Sequence, residues 1–541
     1  MQRAWLREFN ALGLQLRPQA ARVVTTYLKE QANPQQAVEE LVEQTKSFLQ
    51  TRRGSVESVI DADVIEAVIE LKEQRGKVME VEGMQTEAIE GDGIQVYDVM
   101  TQVRPFDYRR QTKEWVLSIN KPTLFPSCDS KAKIYQDRYY LLWQRLLLDG
   151  DFIPEAETTD GLIPGKKVLT PVASIVGNPG KKITFGLISR FQQDGFRGWT
   201  IEDPHKVLRL NLGVTESSRL VTDGSFVLLE GELKGDIFDV HRLDVPQAVP
   251  RIVSMEQDQV PVQVFGGDQT EEQLATLGIV EQEHPEGMYV ILSEVHLDKS
   301  KVVEKLSVLL NGYEQSTPPE VYVFMGNFCS VPFVPTSEGV KSYRQGFERL
   351  KLMLNRLSAH IERGTRFVFV PGPSDPGAQM LPRVPLPNYL TSDLAQHVPN
   401  VIMGTNPCRI RHFTRELIFF RHDIMRLVRK HEVVPLRDPH EGAPPLPEHV
   451  REEMVRLLLD QAHLVPLPLE ESNIMWAFDH TLRLYPLPHA VFIGGVSSHF
   501  DCNCHQCDVA SVGPFNRDGG FYAYHPVKAQ LEQCEVPEQM D

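Results

Sequence analysis

Apolar positions recur every three or four residues through residues 1–75. Trp5, Leu6, Phe9 and Leu12 share one face, and Val23, Val24, Tyr27 and Leu28 a second. Val38, Leu41 and Val42 make a third, and Val64, Ile65, Val68 and Ile69 a fourth. That period predicts helices throughout. Gly13, Asn33-Pro34 and Arg53-Gly54-Ser55 divide them into a small bundle. The rhythm is lost over residues 76–128, where Gly, Glu and Asp crowd Gly83–Gly93, and this stretch reads as a linker with short extended pieces. It returns over 129–165 as a helical connector, with Ile134, Arg138, Tyr139, Leu142 and Arg145 at helical spacing.

Residues 166–249 switch to short strands: Ile183–Arg190, Trp199–Glu202, Val207–Leu212, Phe226–Leu233 and Phe238–Leu243. Asn178-Pro179-Gly180, Asp194-Gly195, Asp203-Pro204, Asp223-Gly224 and Lys234-Gly235-Asp236 supply the turns. Five strands with tight turns suit a small barrel such as an OB-fold. Over 260–541 strands alternate with long helices, which implies parallel pairing and an α/β domain. The strands are Tyr289–Ser293, Val321–Met325, Arg366–Val370, Val401–Met403, Leu417–Arg421 and Ala490–Ile493. Helices are expected from Asp298 to Leu310, from a cap near Ser337 to Ile361, and over Glu448–Gln461. After Val496 the sequence reads as loop. The fold class is therefore α+β and multidomain: helical bundle, barrel, then α/β domain.

Charge narrows the function. The 541 residues carry 56 Lys and Arg against 73 Asp and Glu, a net −17. Coating DNA requires clustered cations, so the chain as a whole is unsuited to it. Seven scattered cysteines do not form a secreted disulfide framework and point to a reducing compartment. No apolar run reaches membrane-span length. Arg3, Arg7, Arg17 and Arg22 beside the single acid Glu8 imitate a transit peptide, but the helical rhythm running on past them favours a first domain helix.

Active loops of open α/β sheets lie at the carboxyl ends of strands. Here those loops are Ser293-Glu294-Val295-His296, Gly326-Asn327-Phe328, Gly372-Pro373-Ser374-Asp375 and Gly494-Gly495-Val496-Ser497-Ser498-His499. Their order resembles the calcineurin-like metallophosphoesterases, whose loops read Asp-x-His, Gly-Asp, Gly-Asn-His and Gly-His-x-His and hold two metals. Slot by slot, Glu294 stands for the first Asp while His296 is kept, and Asn327 stands for the bridging carboxylate. Pro373-Ser374 stands for Asn-His, and no His-x-His follows Gly494. Two metals at close range need an anionic bridge, which neutral Asn327 does not provide. The resemblance thus implies a degenerate site at Glu294, His296, Asn327 and Asp375, with no catalytic residue, metal or cofactor, and with His296 and Asp375 as loop and turn residues. The competing reading is an active metallophosphoesterase or nuclease using Glu294, His296 and Asp375.

A barrel followed by a degenerate phosphoesterase domain is similar to the B-subunit family of replicative DNA polymerases. Lys131-Ala132, Tyr135, Arg138-Tyr139, Leu142, Gln144-Arg145, Phe265-Gly266-Gly267 and Phe367–Pro373 match the DNA polymerase epsilon B-subunits (subunit 2). So do Leu381-Pro382-Arg383, Thr405–Ile410, Trp476–Asp479 and Leu482–Pro486. The leading bundle resembles that family's N-terminal domain, itself similar to the lid of AAA+ ATPases. Membership implies a nuclear, non-catalytic scaffold. Its expected partners are the zinc-bearing C-terminal domain of the catalytic subunit and, through the bundle, the GINS component of the replicative helicase.

Two other features carry candidate chemistry. Cys502, Cys504 and Cys507, with His505 between and His499 nearby, have the density of a zinc site. A single cluster with one residue between Cys502 and Cys504 favours reduced thiols in a surface loop. Phe185, Phe191, Phe196 and Trp199 interleave with Lys181, Lys182, Arg190 and Arg197, the composition with which barrels stack single-stranded nucleic acid. A stand-alone nucleic-acid-binding barrel is therefore a third reading; core aromatics under a solvated basic face are the simpler one. Phe265-Gly266-Gly267 lacks the Lys-Ser/Thr of a phosphate loop and a following helix start, and is expected to be a tight turn.

Overall fold

The computed structural model describes residues 93–537 apart from 110–111, 120, 149, 156–164, 194–195, 214–216, 218 and 437–445, together with ten positions before residue 93. It divides into two units, Met1–Asp92 and Gly93–Asp541. In the first unit, β1 (Gln15–Leu16) pairs in parallel with β2 (Val59–Ile60). These positions are extended, which corrects the expectation of helix throughout 1–75. The rest of the predicted bundle lies mostly outside the described residues.

The second unit opens with β3 (Ile94–Tyr97) and the hairpin β4 (Phe106–Arg109) and β5 (Glu114–Leu117). The expected linker is thus partly built structure, and β3 joins a sheet whose partner strand, Cys408–His412, lies far along the chain. Helix Asp129–Leu148 follows, then β6 (Phe152–Pro154) and β7 (Lys167–Leu169). The barrel strands are β8 (Lys182–Gln193), β9 (Phe196–Glu202), β10 (Val207–Asn211), β11 (Phe226–Lys234) and β12 (Ile237–Asp244). Strand β8 pairs with both β9 and β11, closing the ring β8-β9-β10-β12-β11, with β10 and β12 parallel. Closure removes the free edges of so short a sheet. Ile188, Ile201, Leu208, Leu210, Val227, Leu229 and Phe238 fill the interior.

Two six-stranded sheets face each other in the remainder. One has β13 (Tyr289–Ser293), β14 (Val321–Met325), β15 (Arg366–Val370) and β16 (Val401–Met403) in parallel, flanked by β22 (Gly520–His525) and β23 (Gln530–Glu535). The other runs β20-β21-β19-β18-β17-β3, with β17 (Cys408–His412), β18 (Arg415–Arg421), β19 (Ala490–Gly494), β20 (Phe500–Cys504) and β21 (Cys507–Val512). Strand periodicity sorts the residues. Ile291, Val321, Val323, Met325, Val368 and Val370 meet Ile410, Leu417, Phe419, Phe492, Ala510 and Val512 between the sheets. Tyr322, Phe324, Phe367 and Phe369 point the other way, stacking at 5.0–5.8 Å under helices Ser300–Glu314, Ser337–Leu354 and Asn388–His397. Helix Leu446–Asp460 covers the second sheet through Met454, Val455, Leu457 and Leu458. The result is a helix–sheet–sheet–helix sandwich.

Three expectations in this region are corrected. The helix expected to run to Ile361 stops at Leu354, and a new one starts at Ser358, because Leu357 leaves helical geometry at φ −90 and ψ 79. Its first cap is Thr336, whose hydroxyl accepts Gly339 N. The segment after Val496 is four strands and a short helix. Polar side chains on half-exposed positions of β20 and β23 hide its alternation. Finally, Phe265-Gly266-Gly267 is a turn, with φ of 144 and 75 at its glycines, but a capped helix does begin close after it, at Glu271.

The family-like motifs are mostly ties. Arg138 donates to Asp479, Gln144 Nε2 to Asp258 at 2.7 Å, and Arg145 to the carbonyls of Pro246 and Asp460. Tyr139 packs on Phe185 of the barrel at 5.1 Å. One helix thereby fastens barrel to sandwich. Arg409 donates to four carbonyls, of Val264, Phe265, Thr481 and Arg483.

Candidate functional site

The loops that the sequence places at strand ends do converge. Apolar strands β13, β14 and β15 end together, delivering Glu294, Asn327 and the Gly372–Asp375 turn to one spot. Close approach there demands glycine: a Cβ on Gly326 would fall on Asp375 Oδ2 and Gly372 N. Asp375 is buried, accepting Phe328 N at 2.8 Å, Gly372 N at 2.7 Å and Tyr343 Oη at 2.6 Å. Burial raises its pKa against those donors, and it serves as a turn clamp. Asn327 is held from both ends: its Nδ2 donates to Glu294 Oε1 at 2.8 Å and its Oδ1 accepts Ser374 N at 2.8 Å.

Glu294 is the centre of the cluster. It is 5% exposed and sits at φ 57. Its Oε1 accepts Asn327 N at 3.0 Å and the guanidinium of Arg421, and its Oε2 meets His296 Nε2 at 2.9 Å. With the proton on Nε2, His296 accepts Asn516 Nδ2 at Nδ1, 2.9 Å away. Burial pulls the Glu294 carboxyl upward, but His296, Arg421 and the Asn327 amide outweigh it and hold the group at about 2.

Arg421 was not singled out by sequence reasoning. It ends β18, is fully buried, and reaches from the second sheet into the loops of the first. Its Nε donates to Gly326 O at 2.7 Å, and its Nη1 to Asp423 Oδ1 at 3.0 Å and Gly494 O at 3.3 Å. Asn406 fixes its backbone, accepting Arg421 N and donating to Arg421 O. A fixed organic cation thus neutralises Glu294. The signal in the sequence was a lone Arg closing the apolar run Leu417–Phe420.

These residues do not fit two metals. Every carboxylate oxygen of Glu294 and Asp375 is committed to protein donors, Asn327 brings no charge, and Arg421 supplies positive charge already. Among the described residues no group of three or more His, Cys, Asp or Glu is arranged to hold a metal ion. Cys502, Cys504 and Cys507 form the β20–β21 hairpin, and Cys504 and Cys507 are buried, which corrects the surface-loop expectation. The Cys502 and Cys504 sulfurs are 3.9 Å apart. On the barrel, Arg190 covers Trp199 at 5.2 Å and Arg209 covers Phe191 at 5.5 Å, while Phe185 is core.

A closed five-stranded barrel is fastened to a two-sheet sandwich with an arginine-locked cluster at its strand ends, and both parts match models of polymerase B-subunits. Residues 289–502 match the family of DNA polymerase alpha/epsilon B-subunits, and residues 128–247 match the DNA polymerase epsilon subunit 2-like OB-fold domain. The DNA polymerase epsilon B-subunit of Arabidopsis thaliana is 30% identical over 434 residues, covering 80% of this chain and 81% of that one. DNA polymerase epsilon subunit 2 of Mus musculus is 29% identical over 98% of this chain and 97% of its own, and that of Homo sapiens 29% over 98% of each. The chain belongs to the DNA polymerase epsilon B-subunit (subunit 2) family.

Proposed function

We propose that this chain is a non-catalytic scaffold subunit of DNA polymerase epsilon, working in the nucleus in chromosomal replication. Its barrel and sandwich clasp the zinc-bearing C-terminal domain of the catalytic subunit, and its N-terminal segment, 1–75, links the polymerase to GINS in the replicative helicase. The observation that carries the non-catalytic part is Arg421 in contact with Glu294 where a hydrolase of this arrangement holds metal. A cluster closed by its own cation offers rigid surface, and surface is what a stable partner interface uses. Contact with DNA is indirect or weak, because Arg190 and Arg209 already cover the half-buried rings of Trp199 and Phe191. The N-terminal segment, barrel and sandwich are read as separate functional parts, with β3 counted in the sandwich.

The test is reconstitution. Coexpressed with the catalytic subunit's C-terminal domain, the full chain is expected to copurify at one-to-one stoichiometry and to show no phosphodiesterase turnover with manganese. Turnover abolished by His296→Ala would establish the hydrolase reading instead.

A further inference from the structure

Beside the locked cluster lies a cavity of about 170 Å3, walled by Arg383, Arg421, His422, Ser472, Asn473 and Gln379. Its cationic side is under-used. Arg383 is 5% exposed, yet it donates only to carbonyls, to Pro373 O at 3.3 Å and Asp375 O at 2.8 Å. Asp375 turns its carboxylate away to Tyr343, Phe328 and Gly372. Among the described residues Arg383 makes no ion pair. Burial lowers its pKa, and Arg421 adds to this against the field of Asp375.

The neighbouring groups also lack partners. The Ser472 hydroxyl belongs to a residue 4% exposed and has no hydrogen-bond partner, and neither has His422 Nδ1. Burial first, then the two arginines, push His422 down to about 4, so its ring is neutral near pH 7 and keeps one N–H to donate. The acid at the wall, Glu471, is already engaged by Lys430 at 3.2 Å, and Asp423 by Arg421.

We propose that this cavity binds an oxyanion, a phosphate or a carboxylate group, with Arg383 as its principal donor and Ser472 completing the site after a turn of its hydroxyl. A cation entering here meets two guanidiniums. An apolar group would leave buried donors unsatisfied, which is costly. An oxyanion supplies the missing counter-charge, and charge-assisted hydrogen bonds are the strong ones. The proposal stands apart from the scaffold reading: it needs neither metal nor turnover.

The experiment is calorimetric titration of the full chain with inorganic phosphate and, separately, with acetate at constant ionic strength. One saturable site is expected. Its affinity should fall about tenfold or more in Arg383→Met, the loss of one charged hydrogen-bond partner. A fall of about threefold or more is expected in Ser472→Ala. Should Arg383→Met fail to fold, Ser472→Ala decides alone. Tighter phosphate identifies a phosphoryl source, and equal or tighter acetate an acidic side chain. The proposal is overturned if neither anion saturates, or if binding is unchanged in the variants that fold.

Discussion

On the barrel, Lys234 meets Asp239 and Arg242 meets Asp244 across exposed strand surface. At the strand ends of the sandwich, Arg421 meets Glu294 with both partners almost wholly buried, and Arg411 meets Glu416 likewise. Exposed pairs are solvated, screened and worth little. Buried pairs cost much to desolvate, and breaking one leaves a stranded charge. The barrel is therefore held by its apolar interior, while the loops of the sandwich depend on an internal charge cluster. Arg421, delivered by the opposite sheet, supplies the positive charge of that cluster and joins the two sheets as well.

The sharpest way to break this contrast is Arg421→Met. It strands Glu294 and should lower stability by about 3–5 kcal/mol in urea denaturation. The double variant Arg421→Met with Glu294→Met should recover most of that loss, since an apolar pair can replace a buried ionic one. An equally large loss in the double variant would show that packing, not charge, holds the loops.

Acid provides the next test. The Glu294 carboxyl ionises near 4.5 in an unfolded chain and near 2 in the folded one. The unfolded chain binds more protons between these values, so the stabilisation is present above about 4.5 and is lost as pH falls toward 2. The contribution is up to about 3 kcal/mol, and Glu294→Gln should flatten the acid limb of the stability–pH curve by that amount. A fourth variant, Gly326→Ala, forces a methyl onto Asp375 and Gly372 and should cost about 1–3 kcal/mol by the same denaturation assay. The smallest effect belongs to the barrel. Arg242→Ala, removing an exposed pair, should change stability by about 0.5 kcal/mol or less.

Much of this arrangement is legible in the sequence, for a physical reason. Strands β13, β14 and β15 are buried on both faces, so they read as unbroken apolar runs, and the residues that follow them must lie at one edge. That reasoning places Glu294, His296, Asn327 and Asp375 together, as they are. Other parts are hidden because their cause is distant in the chain. Ile94–Tyr97 alternates like a short extended piece, but its partner, Arg409–His412, lies far along the chain and nothing local announces that pairing. Phe500–Cys504 and Gln530–Glu535 are edge strands with polar residues on half-exposed positions, which blurs their alternation. Arg421 looks like an ordinary strand-end cation until the two sheets are seen to face each other. The break at Leu357 is equally non-local: Glu314, on another helix, accepts Ala359 N at 2.9 Å and rebuilds a helix start there.

The most direct measurement is anomalous scattering from crystals of the full chain soaked in manganese. With Arg421 already paired to Glu294, the difference map should be featureless around Glu294, His296 and Asn327, with the guanidinium still seated between the sheets. Two manganese peaks about 3.5–4 Å apart, with Arg421 swung aside, would contradict the account.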